Sequence, residues 1–168
     1  MTVVDWIDVF TRKNHKIALI ESMQYCQKNK GLEIFAWCLM PSHLHMIVRG
    51  AEGFVLSDIL RDFKRHTSKT IVEQIMEEPE SRREWMLSNF KKAADENAKN
   101  NKYKFWQDGN HPVQLYSAGF TKQKIDYIHN NPVEEMLSET PWEYLYSSAK
   151  NYAGMKGLIE VMVIENMS

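Results

Sequence analysis

An α+β domain built on a largely antiparallel sheet is the fold class that the 168-residue sequence predicts. Three observations carry it. The apolar run Ile34-Phe35-Ala36-Trp37-Cys38-Leu39-Met40 passes through the short turn Met40-Pro41-Ser42 directly into a second extended run. Segments with helical spacing stand before and after this pair. Neither an internal repeat nor a low-complexity linker interrupts the chain, so residues 1–168 read as one domain with length enough to bury a useful core.

Taken in order, the β-branched residues of Thr2 to Val9 predict a short first strand. Asn14 stands as the cap of a helix through Asn29, with Ile17, Leu19, Ile20, Met23 and Cys26 near helical spacing and Gly31 as its stop. Leu32 to Met40 and His43 to Arg49 are the paired strands, followed by a loop through Gly50 and Gly53. Ser57 is a suitable N-cap for a helix from Asp58 to Glu78 that buries Ile59, Phe63, Ile71 and Ile75, with Pro79 ending it. Ser81-Arg82-Arg83-Glu84 has the form of a capping box, opening a helix that buries Trp85, Leu87 and Phe90. The polar stretch Asp95 to Asn101 reads as a helix end or a loop. Tyr103 to Trp106 and Pro112 to Tyr116 are short extended segments around a turn-rich loop. Ala118 to Asn131 is the last clear helix, stopped by Pro132, and Leu158 to Ile164 has the pattern of a final strand.

Composition bounds the function class. The chain is 43% hydrophobic and 26% charged, ordinary values for a globular protein, and no apolar stretch nears the roughly 20 residues of a membrane span. The N-terminus lacks a basic segment followed by an apolar one, so no secretory signal is expected. Cys26 and Cys38 have no metal-type spacing and read as reduced core residues of a cytoplasmic protein. A net charge of -1 argues against a general polyanion coat. Its distribution is uneven: +3 over residues 61–70, +3 over 91–104 and -5 from 126 to 168. A basic middle and an acidic end fit a localised anion site.

The chemistry-bearing stretch is Ser42-His43-Leu44-His45-Met46. Alternate side chains of a strand share a face, so His43 and His45 point one way while Leu44 and Met46 point the other. Two imidazoles about 7 Å apart on one strand face can share a metal or a phosphate. A metal needs further ligands, usually from another element. Tyr127 and Asn131, at i and i+4, project from one helix face a turn apart. An Asn oxygen suits Mg²⁺ or Mn²⁺, whereas a structural zinc site prefers Cys or another His. A tyrosine beside such a cation is a candidate nucleophile.

Four blocks then resemble one family. Trp37-Cys38-Leu39-Met40-Pro41-Ser42-His43-Leu44-His45, Phe105-Trp106-Gln107-Asp108-Gly109-Asn110-His111-Pro112, Tyr127-Ile128-His129-Asn130-Asn131-Pro132-Val133 and Tyr146-Ser147-Ser148-Ala149 are similar, in order, to the HUH single-tyrosine transposases of the insertion-sequence type, and in particular to the REP-associated tyrosine transposases. The resemblance implies a ferredoxin-like sheet with helices packed on it, acting on single-stranded or hairpin DNA. It implies a divalent metal, Mg²⁺ or Mn²⁺, bound by His43, His45 and Asn131, and attack by Tyr127 on a phosphodiester to leave a 5′-phosphotyrosine and a free 3′-hydroxyl. No nucleotide cofactor is implied, because the covalent link conserves the phosphodiester energy. A homodimer is also open, since family dimers can share sites between chains. The chain begins inside the equivalent of the family's first strand, so a truncated start or a weakened sheet edge is expected there.

Blander readings stand beside these. Paired strand histidines and a hydrogen-bonded helix tyrosine are common structural features, but the step from Tyr127 to Asn131 and the matched blocks outweigh them. His129 lies off that face and reads as structural or as a phosphate contact. Arg61, Arg65 and Lys69 follow i, i+4, i+8 and, with Lys64, read as a DNA-contacting stripe against a solvated helix face. His111 and Trp106 flank a turn and could hold a phosphate or stack a base, core packing being the alternative for Trp106. A non-catalytic DNA-binding descendant and a different metalloenzyme built on His-x-His are the rival functions. The second expects a third His or a carboxylate.

Overall fold

The computed structural model describes residues 1–96, 102–109 and 112–164. Its centre is an antiparallel pair, β1 (Leu32–Leu39) and β2 (Leu44–Gly50), in which Cys38 faces His45 and Leu39 faces Leu44. A bulge at Phe35 shifts the register between Ile34 and Ala36. Shorter extended segments continue the layer on both sides. Thr2 pairs with His43, and Val3 with Trp106 beyond it; on the other side Ser147 pairs with Cys38. The expected antiparallel sheet is therefore present as two full strands flanked by bridges.

Strand alternation divides the two faces of this layer. On one, Ile34, Trp37, Leu39 and Leu44 join the main core with α1 (Lys13–Lys30), α2 (Leu56–Glu77) and α3 (Arg83–Asp95). On the other, Cys38, Met40 and Ile47 meet Ile128 of α4 (Ala118–Glu134) and Tyr144 in a second, smaller cluster. His43 and His45 share the parity of Ile47, so they face α4.

A buried hydroxyl adds a polar tie to that second face. Ser148 Oγ accepts from the Trp37 backbone N–H (2.9 Å), donates to the Trp37 carbonyl (3.2 Å) and lies 2.8 Å from His129 Nε2 of α4. Just after it, α5 (Ala149–Tyr152) forms a single turn, and the Tyr152 hydroxyl donates to the Phe35 carbonyl. The Tyr144 hydroxyl donates to the Leu39 carbonyl at 2.8 Å. The aromatic stretch from Trp142 to Tyr152 is thus largely packing, as is Trp106, which is buried and donates its indole N–H to Thr67.

Several local expectations are corrected. Thr2 to Val9 is not a continuous strand: after Val3 the chain makes two 3-10 turns, Val4–Trp6 and Val9–Thr11. Its β-branched residues serve the core, where Val3, Val4, Ile7 and Val9 are buried. Helix α2 starts at Leu56, because the Val55 carbonyl already accepts from Asp58 and Ile59, so Ser57 lies inside it and caps nothing. The box at Ser81 does not form; Glu80 takes the Arg82 N–H instead. Met86 rather than Trp85 is buried, while Phe90 is buried as expected and Leu87 packs partly buried on the core. Helix α1 has no side-chain cap from Asn14, but Gly31 ends it in the left-handed conformation at φ 65°. Pro132 does not stop α4. It sits in the last turn; the helix runs on to Glu134, and the chain turns left-handed at Met136, whose φ is 55°. Leu158 to Ile164 forms no strand, although Met162 donates its N–H to Ile34. Most of the stretch from Asp95 to Asn101 lies outside the described residues.

Removing the Ser148 hydroxyl leaves two buried groups, the Trp37 N–H and His129 Nε2, without their partner. Ser148→Ala should therefore lower stability by about 3 kcal/mol, seen as a fall in the urea midpoint with an unchanged slope.

Candidate functional site

The site is assembled from two elements. His43, just before β2, and His45 within it have ring centroids 4.7 Å apart, edge to face. Helix α4 supplies Tyr127, whose ring lies 5.8 Å from that of His45 in the same chain. Neighbouring Ile128 is in the second core, so the helix is anchored one residue from the phenol while the phenol itself is half exposed. Asn131 is buried one turn on and donates from Nδ2 to the Tyr127 carbonyl (2.6 Å). That bond engages the amide's donor end, so Oδ1 is the atom that would meet a cation.

The imidazoles are suited to ligation. Burial pushes His43 down to about 4 from the usual 6.5, with the N-terminal ammonium adding to the effect. Burial likewise holds His45 at about 4, with His43 and the ammonium as further causes. Both rings are thus neutral near pH 7, the form a metal needs. His43 Nδ1 lies 3.1 Å from the Ser42 hydroxyl, whereas His45 Nε2 is buried with no hydrogen-bond partner among the described residues. An orphaned imidazole nitrogen is costly unless something occupies it. The donor set of two neutral nitrogens and one amide oxygen fits a divalent cation. Among the described residues, no cluster of three His, Cys, Asp or Glu side chains exists that could hold a metal. The third ligand expected by a different His-x-His metalloenzyme is therefore not found among them.

The other residues singled out in the sequence fall into place as follows. His129 is buried against Ser148 and serves the fold. Arg61, Lys64, Arg65 and Lys69 line an open groove of about 810 Å³ between α2 and the segment 102–109. Six cations and two carboxylates line it, Lys102 and Lys104 adding to the α2 stripe. Part of the charge is internally matched: Arg61 bonds Asp58 and Arg65 bonds Asp62. Lys64 donates to the Gln107 carbonyl, and burial lowers its ammonium from the ordinary value. Gln107 in turn bonds Thr2, which pairs with His43. Two strand spacings, about 10 Å, thus separate this wall of the groove from the histidine pair. His111 lies outside the described residues.

Trp6 is a site residue the sequence reading missed. Its ring meets His43 edge-on at 5.2 Å and is 60% exposed. Asp5 and Trp6 both have left-handed backbones, φ 52° and 56°, which is an outlier for a bulky side chain. An unpatterned tryptophan in a region expected to be strand was the one available signal.

Comparisons with known proteins bear on this arrangement. The family model described as "Transposase IS200 like" matches residues 6–92, about half of the chain. A solved structure described as a REP-associated tyrosine transposase bound to a REP hairpin is similar in fold, with a TM-score of 0.54. The identity is 17%, and the match covers 91% of this chain and 79% of that one. A search among curated proteins finds no match.

Buried neutral histidines also set a pH response. His129, like His43 and His45, is lowered to about 4 by burial. Between roughly pH 6.5 and 4 the unfolded chain takes up protons that the folded chain refuses. Stability is therefore complete above about pH 6.5 and falls as the pH drops toward 4. The urea midpoint should be clearly lower at about pH 5 than at about pH 7.5, and NMR titration of the three imidazoles should give midpoints near 4.

Proposed function

Because the chain belongs to the IS200-like transposase family, we propose that it cleaves and rejoins single-stranded DNA through Tyr127 in a single domain spanning residues 1–168. The observation that carries the reading is the contact of the Tyr127 ring with His45, 5.8 Å apart and within one chain. His43, His45 and Asn131 would hold the divalent cation, Mg²⁺ or Mn²⁺. When bound, that cation supplies electrophilic polarisation of the scissile phosphate and stabilises its developing charge.

The chain's own groups do the rest. Tyr127 Oη attacks phosphorus and loses its proton; the bond from phosphorus to the 3′ oxygen breaks, and that oxygen takes up a proton to become a hydroxyl. The result is a 5′-phosphotyrosine, which a second 3′-hydroxyl reverses by the same route. Packing of Ile128 and the bond from Asn131 to the Tyr127 carbonyl hold the nucleophile's turn of helix. The half-exposed phenol leaves room for a strand to reach it. Charge on α2 and the segment 102–109 suits the phosphate backbone of a folded palindrome, the substrate we favour because the solved structure of similar fold is described with a bound hairpin. No helix among the described residues is long and apolar enough to cross a membrane. Cytoplasmic action on DNA is part of this reading.

Incubation with Mn²⁺ and a labelled hairpin should give wild type a denaturation-resistant adduct that Tyr127→Phe and a chelator each abolish. An equal adduct from Tyr127→Phe would remove the phenol from its role. Tight hairpin binding with no adduct under any metal would favour a non-catalytic DNA-binding protein. Charge reversal at Arg65 and Lys69 should weaken binding to all sequences alike and reduce the salt slope by about two; affinity independent of these residues would return the stripe to solvent.

A further inference from the structure

The exposed face of α4 continues beyond Tyr127. Phe120, Lys124 and Tyr127 follow i, i+4, i+7 and share one face. Tyr116, just before the helix, stacks on Phe120 with ring centroids 5.2 Å apart and planes 16° from parallel. The Ser117 side chain accepts the Phe120 N–H and caps the helix, which fixes where this pair projects. The Lys124 ammonium lies 5.3 Å from the Phe120 ring and 5.9 Å from that of Tyr127. Among the described residues it pairs with no carboxylate; Asp126, two positions on, is engaged by Lys122 on a neighbouring face. On the far side of the histidines stands Trp6.

These contacts form an unbroken line: Tyr116, Phe120, Lys124, Tyr127, His45, His43, Trp6. Neither end is explained by packing, since Tyr116 is 80% exposed and Trp6 60%. Resting on the reading that Tyr127 attacks a DNA strand, we propose that this line is the path of the strand, with single-stranded nucleotides on the two sides of the reacting phosphate stacking on Tyr116–Phe120 and on Trp6. Every base has a π-face, so aromatic platforms hold flanking nucleotides whatever their sequence. Lys124 offers a cation to a phosphate between the Phe120 platform and the phenol. Seven residues of helix separate Phe120 from Tyr127, about 10 Å, which spans a short run of bases at about 3.4 Å each. The strained turn at Asp5 and Trp6 fits the same role, holding a bulky ring in solvent beside His43.

The test measures binding with a chelator present, so that cleavage plays no part. Probes are a hairpin carrying about eight single-stranded nucleotides on each end, some replaced by 2-aminopurine, and the same hairpin without flanks. Wild type should bind the flanked probe about tenfold more tightly and quench 2-aminopurine in both flanks. The double variant Tyr116→Ala, Phe120→Ala should lose most of that advantage and the quenching in one flank, with binding of the bare hairpin unchanged. Trp6→Ala should release quenching in the other flank, and the aromatic replacements Phe120→Tyr and Trp6→Tyr should retain both signals. Equal wild-type affinity for the two probes, or full quenching in the alanine variants, would overturn the path while leaving the covalent chemistry standing. Failure of wild type to bind either probe would overturn both readings.

Discussion

The candidate site depends on how α4 is held against one face of the β1–β2 pair. That face is small. Cys38, Met40 and Ile47 from the strands meet Ile128 from the helix, while most of the buried apolar surface lies on the other side. A cluster of this size does little to set the helix's rotation, and the polar tie through Ser148 supplies what apolar packing leaves loose. Its hydroxyl serves the Trp37 backbone in both directions and meets His129. A buried polar knot is stabilising only when every member is satisfied, and its directionality then selects one arrangement. His129 and Tyr127 are two residues apart on α4, so a shift at the knot moves the phenol relative to His45. Misplacement of a reacting group by about 1 Å can cost about 100-fold in rate. A buried serine remote from the phenol can thereby govern its position.

Burial works at the site in a second way. Removing His43 and His45 from water disfavours their charged forms and leaves two neutral nitrogens on one strand face, the Nε2 of His45 without a hydrogen bond. Folding thus keeps two imidazoles neutral at a cost in stability. Four cations of α2 and two of the segment 102–109 line one groove, and its Gln107 wall lies two strand spacings, about 10 Å, from His43. Among the described residues, none of the acidic C-terminal part lines this groove.

Much of this was legible before the coordinates, and the physics says which parts. A period of two assigns His43 and His45 to one face whatever the sheet around them, and a period of 3.6 puts Tyr127 over Asn131. Both survive small errors in element boundaries. Cap assignments do not. Ser57 and the box at Ser81 have the right chemistry in the wrong place, because Leu56 packs on the core and extends α2 backwards while Glu80 intercepts the Arg82 N–H. Pro132 reads as a stop, yet α4 runs two residues past it and goes without the N–H bond that position 132 would otherwise make to residue 128. The tryptophan at position 6 was visible, but its place beside His43 was not. Its conformation rests on consecutive left-handed residues that are not glycine, held by burial of Val4 and Ile7 on either side. Nothing local in the sequence announces that.

Tyr127, the proposed nucleophile, and His45, a proposed metal ligand, meet within one chain, and mixing two inactive variants tests that arrangement most directly. Tyr127→Phe keeps the histidines and His45→Ala keeps the phenol. If each chain holds its own site, a mixture of the two should form no covalent DNA adduct under conditions where wild type does. Recovery of adduct on mixing, carried by the His45→Ala chain, would mean that the phenol works on a neighbour's histidines, and would contradict the site described here.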